Sequence, residues 1–389
     1  MKNLKKALAV GLASVMALAT VACGGNGAQT SGEADVTWKI GGIGPITGGA
    51  AIYGLAVQHG AQIAVDEINA AGGINGSLIE FSFEDDEHNA EKSVNAYNKL
   101  KDWGMEILLG TTTSAPCVAV AAEATTDNMF LLTPSGSSVD VIKDRTNAFQ
   151  VCFTDPNQGY GSAKYIGENA MATKVAVIYD SSDVYSTGIY EKFAAEAENQ
   201  PFEIVAAEAF TADSKTDFTV QLQKAKAAGA ELVFLPIYYE QSALILTQAN
   251  DMGYAPTFFS CDGMDGILGM DNFDTSLAEG VVLLTPFVAD ATDDATVSFV
   301  QKYQEAYGET PIQFAADAYD GIYIIKEALE KSGVAPDASV SDICDALKAA
   351  MVEITFDGLT GEGMTWAATG EVSKEPKAMV IENGTYVSY

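Results

Sequence analysis

The amino-acid sequence predicts an α/β protein built as two doubly wound, Rossmann-like lobes, and three observations carry that expectation. Short, continuous apolar runs bounded by Gly or Pro alternate with helical segments from residue 36 onward. The alternation comes in two series, the second beginning at Lys174. At 389 residues the chain is also long enough for two domains of ordinary size. A continuous apolar run is the mark of a strand buried on both faces, and parallel strands need helical crossovers of this length between them.

In the first series, residues 38–43, 78–83, 107–109, 130–132 and 149–153 read as strands. A helix over about 53–71, closed by Gly72-Gly73, joins the first two, and an Ala-rich helix over 118–124 joins the third to the fourth. In the second series the strands are 175–179, 204–207, 232–235, 257–259 and 281–284, with helices near 188–199, 220–228 and 242–252. From Pro286 onward the chain is too short for a third lobe. Helices are expected over 297–307, 315–331 and 341–351, and late strands at 365–366 and 379–389, the last containing the hairpin signal Asn383-Gly384. These pieces are expected to cover the two lobes already built, so the chain crosses between lobes more than once.

Composition narrows the function. Hydrophobic residues make up 48% of the chain, enough for a sizeable core, while 21 basic against 53 acidic residues give a net charge of −32. No counterion-releasing basic face can be assembled from that balance, which sets nucleic acid aside. The acidity is spread along the chain and reads as a well-hydrated surface.

Lys2, Lys5 and Lys6 precede an apolar stretch over residues 7–19, and small residues lead to Cys23. This is the three-part shape of a secretory signal, and the apolar stretch is too short to favour a spanning helix. Residues 18–23 resemble a bacterial lipoprotein cleavage box, with Thr20 where that box usually carries Leu. The likeness implies a signal peptide over 1–22, lipidation at Cys23 and a flexible tether over 23–35, placing the protein outside the cytoplasm on the cell membrane. Cys117, Cys152, Cys261 and Cys344 are far apart, in no metal-ligand spacing, and are read as free.

Two hydroxyl-rich loops are the centre of the functional reading. Gly110 ends one apolar run and is followed by Thr111, Thr112, Thr113 and Ser114; a second run ends in Thr133-Pro134 and opens into Ser135, Gly136, Ser137 and Ser138. In such sheets ligands bind beyond the carboxyl ends of the strands, where hydroxyls and helix-start N–H groups suit a small anion. Helix capping and turn formation are the ordinary roles of the same residues. At the corresponding strand ends of the second lobe stand Tyr185, Tyr238 and Asp262, which suit an ammonium. Facing one another, the two walls suit a zwitterion such as an α-amino acid.

Residues 44–48 (Gly-Pro-Ile-Thr-Gly) with Tyr53-Gly54, the turn at 71–76, the loops at 110–114 and 133–137, and the Ala315 to Asp320 helix resemble the type I periplasmic binding proteins of the branched-chain amino acid (Leu/Ile/Val) group. These are extracytoplasmic receptors of ATP-binding-cassette importers. The resemblance covers nearly the whole mature chain in unbroken order. It implies two lobes joined by a three-strand hinge, residues 36–155 plus 286–366 and residues 156–285 plus 367–389. It further implies that Ser114, Ser135 and Ser137 take the ligand carboxylate and that Tyr185 and Asp262 take the ammonium. Tyr238 would close over the ligand, and Tyr53 and Phe314 would line the side-chain pocket. The chain departs from the group in carrying Asp262 where Glu is common and Ser135 where Ala is common. The partners implied are an amino-acid ligand and the permease subunits, with a monomeric receptor and no cofactor.

An enzyme is the weaker alternative. Gly42-Ile43-Gly44 lacks the rest of a dinucleotide fingerprint, no phosphate loop or nucleophile elbow occurs, and the acidic stretch Glu84 to Glu87 before His88 reads as a solvated strand end rather than a metal site. Two alternatives keep the fold: a sensor that passes closure to a signalling partner, and a binder of a short amide or urea-like solute.

Overall fold

A computed structural model describes residues 36–389; the signal peptide expected over 1–22, the lipidation expected at Cys23 and the tether expected over 23–35 lie outside the described residues. Two sheets organise the chain. The first contains β1 (Trp38–Gly44), β2 (Ile79–Asp85), β3 (Ile107–Gly110), β4 (Phe130–Thr133) and β5 (Ala148–Gln150), all parallel, in the order β2-β1-β3-β4-β5. The helices α1 (Ala51–Ala70), α2 (Ala90–Trp103) and α3 (Ser114–Asp127) make its crossovers. Strand order reverses at β1, which lies between β2 and β3, and the loops after β1 and β3 part there to open a crevice.

The second sheet runs β12-β11-β10-β9-β8-β6-β7. Its parallel part is β6 (Lys174–Asp180), β7 (Glu203–Phe210), β8 (Leu232–Leu235), β9 (Thr257–Ser260) and β10 (Val282–Thr285). It is crossed by α4 (Asp155–Glu168), α5 (Val184–Ala197), α6 (Thr219–Ala227) and α7 (Tyr239–Asp251). Here the reversal falls at β6, between β7 and β8, so Tyr185 and Tyr238 follow the two strands that flank the second crevice. β11 (Lys377–Glu382) and β12 (Thr385–Ser388) close one edge as an antiparallel hairpin whose turn residues, Asn383 at φ 53° and Gly384 at φ 72°, sit where a two-residue hairpin requires.

Between β10 and β11 the chain returns to the first lobe as α8 (Asp294–Tyr307), α9 (Gln313–Ser332) and α10 (Val340–Met351). α9 lies along α1 so closely that a methyl group at Gly60 would stand 2.0 Å from the Ala315 carbonyl oxygen, which only glycine permits. The chain therefore passes between sheets three times, before α4, after β10 and after α10. The last passage is anchored under α9 by Lys374, whose ammonium meets Asp317 Oδ1 at 3.0 Å and Thr360 Oγ1 at 2.6 Å. Asp320 accepts from the Thr360 N–H and hydroxyl at 2.9 and 2.6 Å. Two carboxylates and one ammonium leave an excess negative charge in the interior, and burial pushes Asp317 up to about 6 despite Lys374.

Several expectations are corrected. The strand expected over 149–153 stops at Gln150, and residues 365–366 form only an isolated bridge, Trp366 to Val372. α2 and α4 were not expected as helices. The first turn of α4 is Asp155-Pro156-Asn157-Gln158-Gly159, poor in helix formers. Packing overrides propensity: Gly159 sits against the Ile189 carbonyl of α5, where a methyl would lie 2.3 Å away. The Ala-rich helix begins at Ser114, four residues earlier than its apolar pattern suggests, with Thr113 extended before it and Pro116 inside its first turn. The acidic stretch after β2 is not wholly solvated either, since Asp86 is fully buried and accepts from the His88 N–H at 2.9 Å.

Candidate functional site

The two hydroxyl-rich loops lie side by side and are tied together. Thr133 Oγ1 donates to the Thr111 carbonyl at 2.6 Å and accepts from the Gly136 N–H at 2.7 Å, while Ser135 Oγ donates to the Thr112 carbonyl at 2.6 Å. The Ser135 hydroxyl is therefore turned into the loops, with its proton given to the Thr112 carbonyl. Ser114 Oγ accepts from the Ser138 N–H at 3.2 Å, keeping its own proton to donate. Ser137 Oγ is buried without a hydrogen-bond partner.

The opposite wall is built on Asp262. Tyr185 donates to Asp262 Oδ1 at 2.6 Å and accepts from the Gly263 N–H at 2.9 Å, and Gln158 Oε1 accepts from the Asp262 N–H at 3.3 Å. Tyr185 thus spends its hydroxyl on holding the carboxylate rather than on meeting an ammonium itself. Burial raises Asp262 to about 6, with Tyr185 and Gln158 opposing the rise. No Lys or Arg among the described residues pairs with it.

These residues are linked to one another, because their contacts close a ring. Ser114 binds Ser138, the Ser137 carbonyl accepts from the Asp155 N–H at 3.0 Å, and α4 carries both Asp155 and Gln158. Gln158 reaches Asp262, Asp262 holds Tyr185, and Tyr185 stacks on Tyr238 at 4.7 Å and 13°. Tyr238 meets the edge of His88 at 5.4 Å, and His88 Nδ1 lies 2.9 Å from Thr113 Oγ1, beside Ser114. Ser114 and Asp262 therefore belong to one ring of contacts that runs from the first lobe to the second. Phe314 packs against Tyr53 at 4.4 Å with the rings tilted by 36°, and Tyr53 meets Tyr238 edge-on at 5.7 Å, so both aromatics stand at one side of the ring.

His88 was not expected here. Its turn is set by Asp86, burial lowers its pKa to about 4, and its ring bridges the first-lobe loop to Tyr238 of the second lobe. Nothing in its local sequence distinguishes it from a surface histidine. Asp155 and Gln158 were missed for another reason: their turn lacks a helical pattern, so their shared face could not be read.

Tyr53 joins the lobes. Its hydroxyl donates to the Gly263 carbonyl and accepts from the Tyr239 N–H at 3.2 Å. Tyr53→Phe removes both bonds from the closed form and nothing from an open one. It is expected to lower ligand affinity about 5- to 150-fold, as two hydrogen bonds of about 0.5–1.5 kcal/mol each require, with the unliganded melting temperature little changed. Titration calorimetry checks it.

A separate groove of about 970 Å³ runs beside the ring, lined in part by Leu55, Tyr239, Glu240, Leu268, Met270 and Glu309. It offers carboxylates and apolar surface but no cationic side chain for an anion, whereas the ring holds buried polar groups lacking partners; the ring is the stronger site.

Two Rossmann-like lobes, three crossings and a polar ring buried where both strand orders reverse define a two-lobed solute-binding receptor. The chain belongs to the periplasmic binding protein family, whose sequence profile matches residues 37–385, and it falls with the type I branched-chain amino acid group. A Leu/Ile/Val-binding protein homologue from Brucella melitensis is 28% identical over 371 residues, 93% of this chain and 94% of its own. The branched-chain amino acid transporter substrate-binding protein of Streptococcus pneumoniae, solved with isoleucine, is 30% identical with a TM-score of 0.81, covering 90% of this chain and 98% of its own. A leucine-binding protein from Thermotoga maritima is 25% identical with a TM-score of 0.80, covering 91% and 98%. The family is one of receptors, not enzymes.

Proposed function

We propose that this chain is the receptor of an ATP-binding-cassette importer, binding an α-amino acid with a branched or other small apolar side chain and delivering it to the permease. The ring carries this reading, since it sets hydroxyls and helix-start N–H groups opposite an unpaired buried carboxylate. Ser114, Ser137 and the backbone at Ser135 take the ligand carboxylate; Asp262, held by Tyr185, takes the ammonium; Tyr53, Tyr238 and Phe314 enclose the side chain. The lobes comprise 36–155 plus 286–366 and 156–285 plus 367–389, a division the three crossings support, and a lipid at Cys23 keeps the monomeric receptor at the membrane. The named relatives support the branched-chain preference.

A sensor that signals through closure uses the same site. A neutral amide or urea-like ligand fits less well, because it leaves Asp262 unpaired at a cost of several kcal/mol. The test is a melting screen against the common amino acids, urea and short amides. A binder present at a hundredfold excess over its dissociation constant stabilises the protein by about 2.7 kcal/mol. Shifts confined to branched-chain and similar apolar amino acids support the proposal; shifts from neutral amides alone overturn it.

A further inference from the structure

Asp265 ties the second lobe to the first by a contact that has no part in the ring. It stands in the turn after β9, and its N–H donates to the Asp262 carbonyl at 2.9 Å. Its Oδ2 accepts from the Gln313 N–H at 2.8 Å, and Gln313 is the first residue of α9, the helix that lies along α1. Ile312, just before that helix, supplies no side-chain cap, so an N–H at the start of α9 is satisfied by a carboxylate from the other lobe. Asp265 is 1% exposed, and its Oδ1 has no hydrogen-bond partner. The groups that face it carry no positive charge. Its own turn brings Asp262, β12 brings the Tyr386 hydroxyl, which accepts from the Gly266 N–H at 3.0 Å, and α1 brings the Tyr53 hydroxyl. Asp317 follows one turn along α9, and no Lys or Arg among the described residues pairs with Asp265. Its neighbours Gly266, Ile312 and Tyr386 line the groove described above, whose ionisable walls include Glu240, Asp271 and Glu309, so solvent runs close past the acid.

A helix start favours an ionised cap, but only modestly, whereas an ionised carboxylate buried beside another acid with no cation is costly. The second effect wins here. Burial pushes Asp265 up to about 7 against the Gln313 N–H, the Tyr386 hydroxyl and the Gly266 N–H, and Asp262 adds to the rise. With the lobes apart, Asp265 and the start of α9 both return to water, and the acid returns to the ordinary aspartate range. Closing therefore takes up a proton. The contribution of Asp265 to closure is complete below the ordinary range and is lost as pH rises through about 7. Asp262 gives the opposite slope, since protonating it at lower pH removes the charge that an ammonium meets.

We propose that Asp265 is a proton-operated latch between the lobes: neutral, it caps α9 and holds the closed form, and ionised, it resists closure. The test is titration calorimetry with leucine, isoleucine and valine on the full chain, wild type and Asp265→Asn, between about pH 6.5 and 8.5, where the amino acids stay zwitterionic. Wild type is expected to lose about 5- to 25-fold in affinity across that range, as a group titrating near 7 in the closed form alone implies. Asp265→Asn keeps an acceptor for the Gln313 N–H and cannot ionise, so its affinity is expected to stay level or rise with pH and to exceed that of wild type at the upper end. A wild-type affinity that does not fall with pH, or an equal fall in the variant, overturns the proposal. Should Asp265→Asn not fold, Gln313→Pro decides, because it removes the N–H at a first helical position that proline tolerates. It is expected to lose about 2- to 10-fold more affinity near pH 6.5 than Gln313→Leu, which keeps the N–H, and equal affinities overturn the latch. If wild type binds no amino acid, the functional reading fails on its own account. The latch is then decided by small-angle scattering of the unliganded proteins: wild type expanding with pH while Asp265→Asn does not supports it, and matching behaviour overturns it.

Discussion

Asp262→Ala is expected to remove most or all of the rise in melting temperature that wild type shows with its amino acid. The carboxylate is buried, unpaired by any described cation, and held by the Tyr185 hydroxyl, while Gln158 accepts from the Asp262 backbone N–H. Removing one partner of a buried charge pair costs about 2–5 kcal/mol of binding, or roughly 30- to several-thousand-fold in affinity. At a ligand concentration of a hundred wild-type dissociation constants, even a 30-fold loss cuts the stabilisation from about 2.7 to about 0.9 kcal/mol. The unliganded variant should melt close to wild type, and the sign of the pKa shift explains why. The folded-state value of about 6 is above the ordinary aspartate range, so ionised Asp262 opposes the closed fold. Its favourable contribution is complete below the ordinary range and lost as pH rises through about 6, so at neutral pH the acid stabilises nothing that alanine forfeits. Differential scanning fluorimetry with and without ligand measures both quantities; an undiminished ligand shift removes Asp262 from the site.

Lys374→Ala is expected to have the largest effect on folding itself. Its ammonium is the cation that meets Asp317 and Thr360 beneath α9, and truncating it leaves Asp317 and Asp320 buried together without neutralisation. Breaking such a pair costs about 3–5 kcal/mol, a large share of the 5–15 kcal/mol that stabilises an ordinary domain. The same residue pins the third crossing to α9, so the loss should appear as a lower denaturant midpoint for the whole molecule. Adding Asp317→Asn to Lys374→Ala should recover part of the stability, since the double variant no longer buries the extra charge. Equilibrium denaturation of the single and double variants checks this; an additive double variant would show that the ammonium acts by packing alone.

The alternation of apolar runs and helices, the two series, the returning C-terminal helices and the Asn383-Gly384 turn were all legible along the chain, because each depends on neighbours within a few residues. The hydroxyl loops and the second-lobe trio of Tyr185, Tyr238 and Asp262 were legible as candidates for the same reason: strand ends can be located locally, and loops beyond them face a crevice. α4 was not legible, since Pro and Gly in its first turn obscure a helix that packing on α5 imposes. With it went the shared face of Asp155 and Gln158.

By itself, then, the sequence determined the layers, the crossings and which side chains stand at strand ends. Only the tertiary structure decided their chemistry. It turned the Ser135 hydroxyl into the loops, spent the Tyr185 hydroxyl on Asp262, brought His88 against Tyr238 and buried Asp155 without a partner. A polar group's role depends on which donor or acceptor reaches it first and on how much water is left around it, and both are set by residues scores of positions away in the chain.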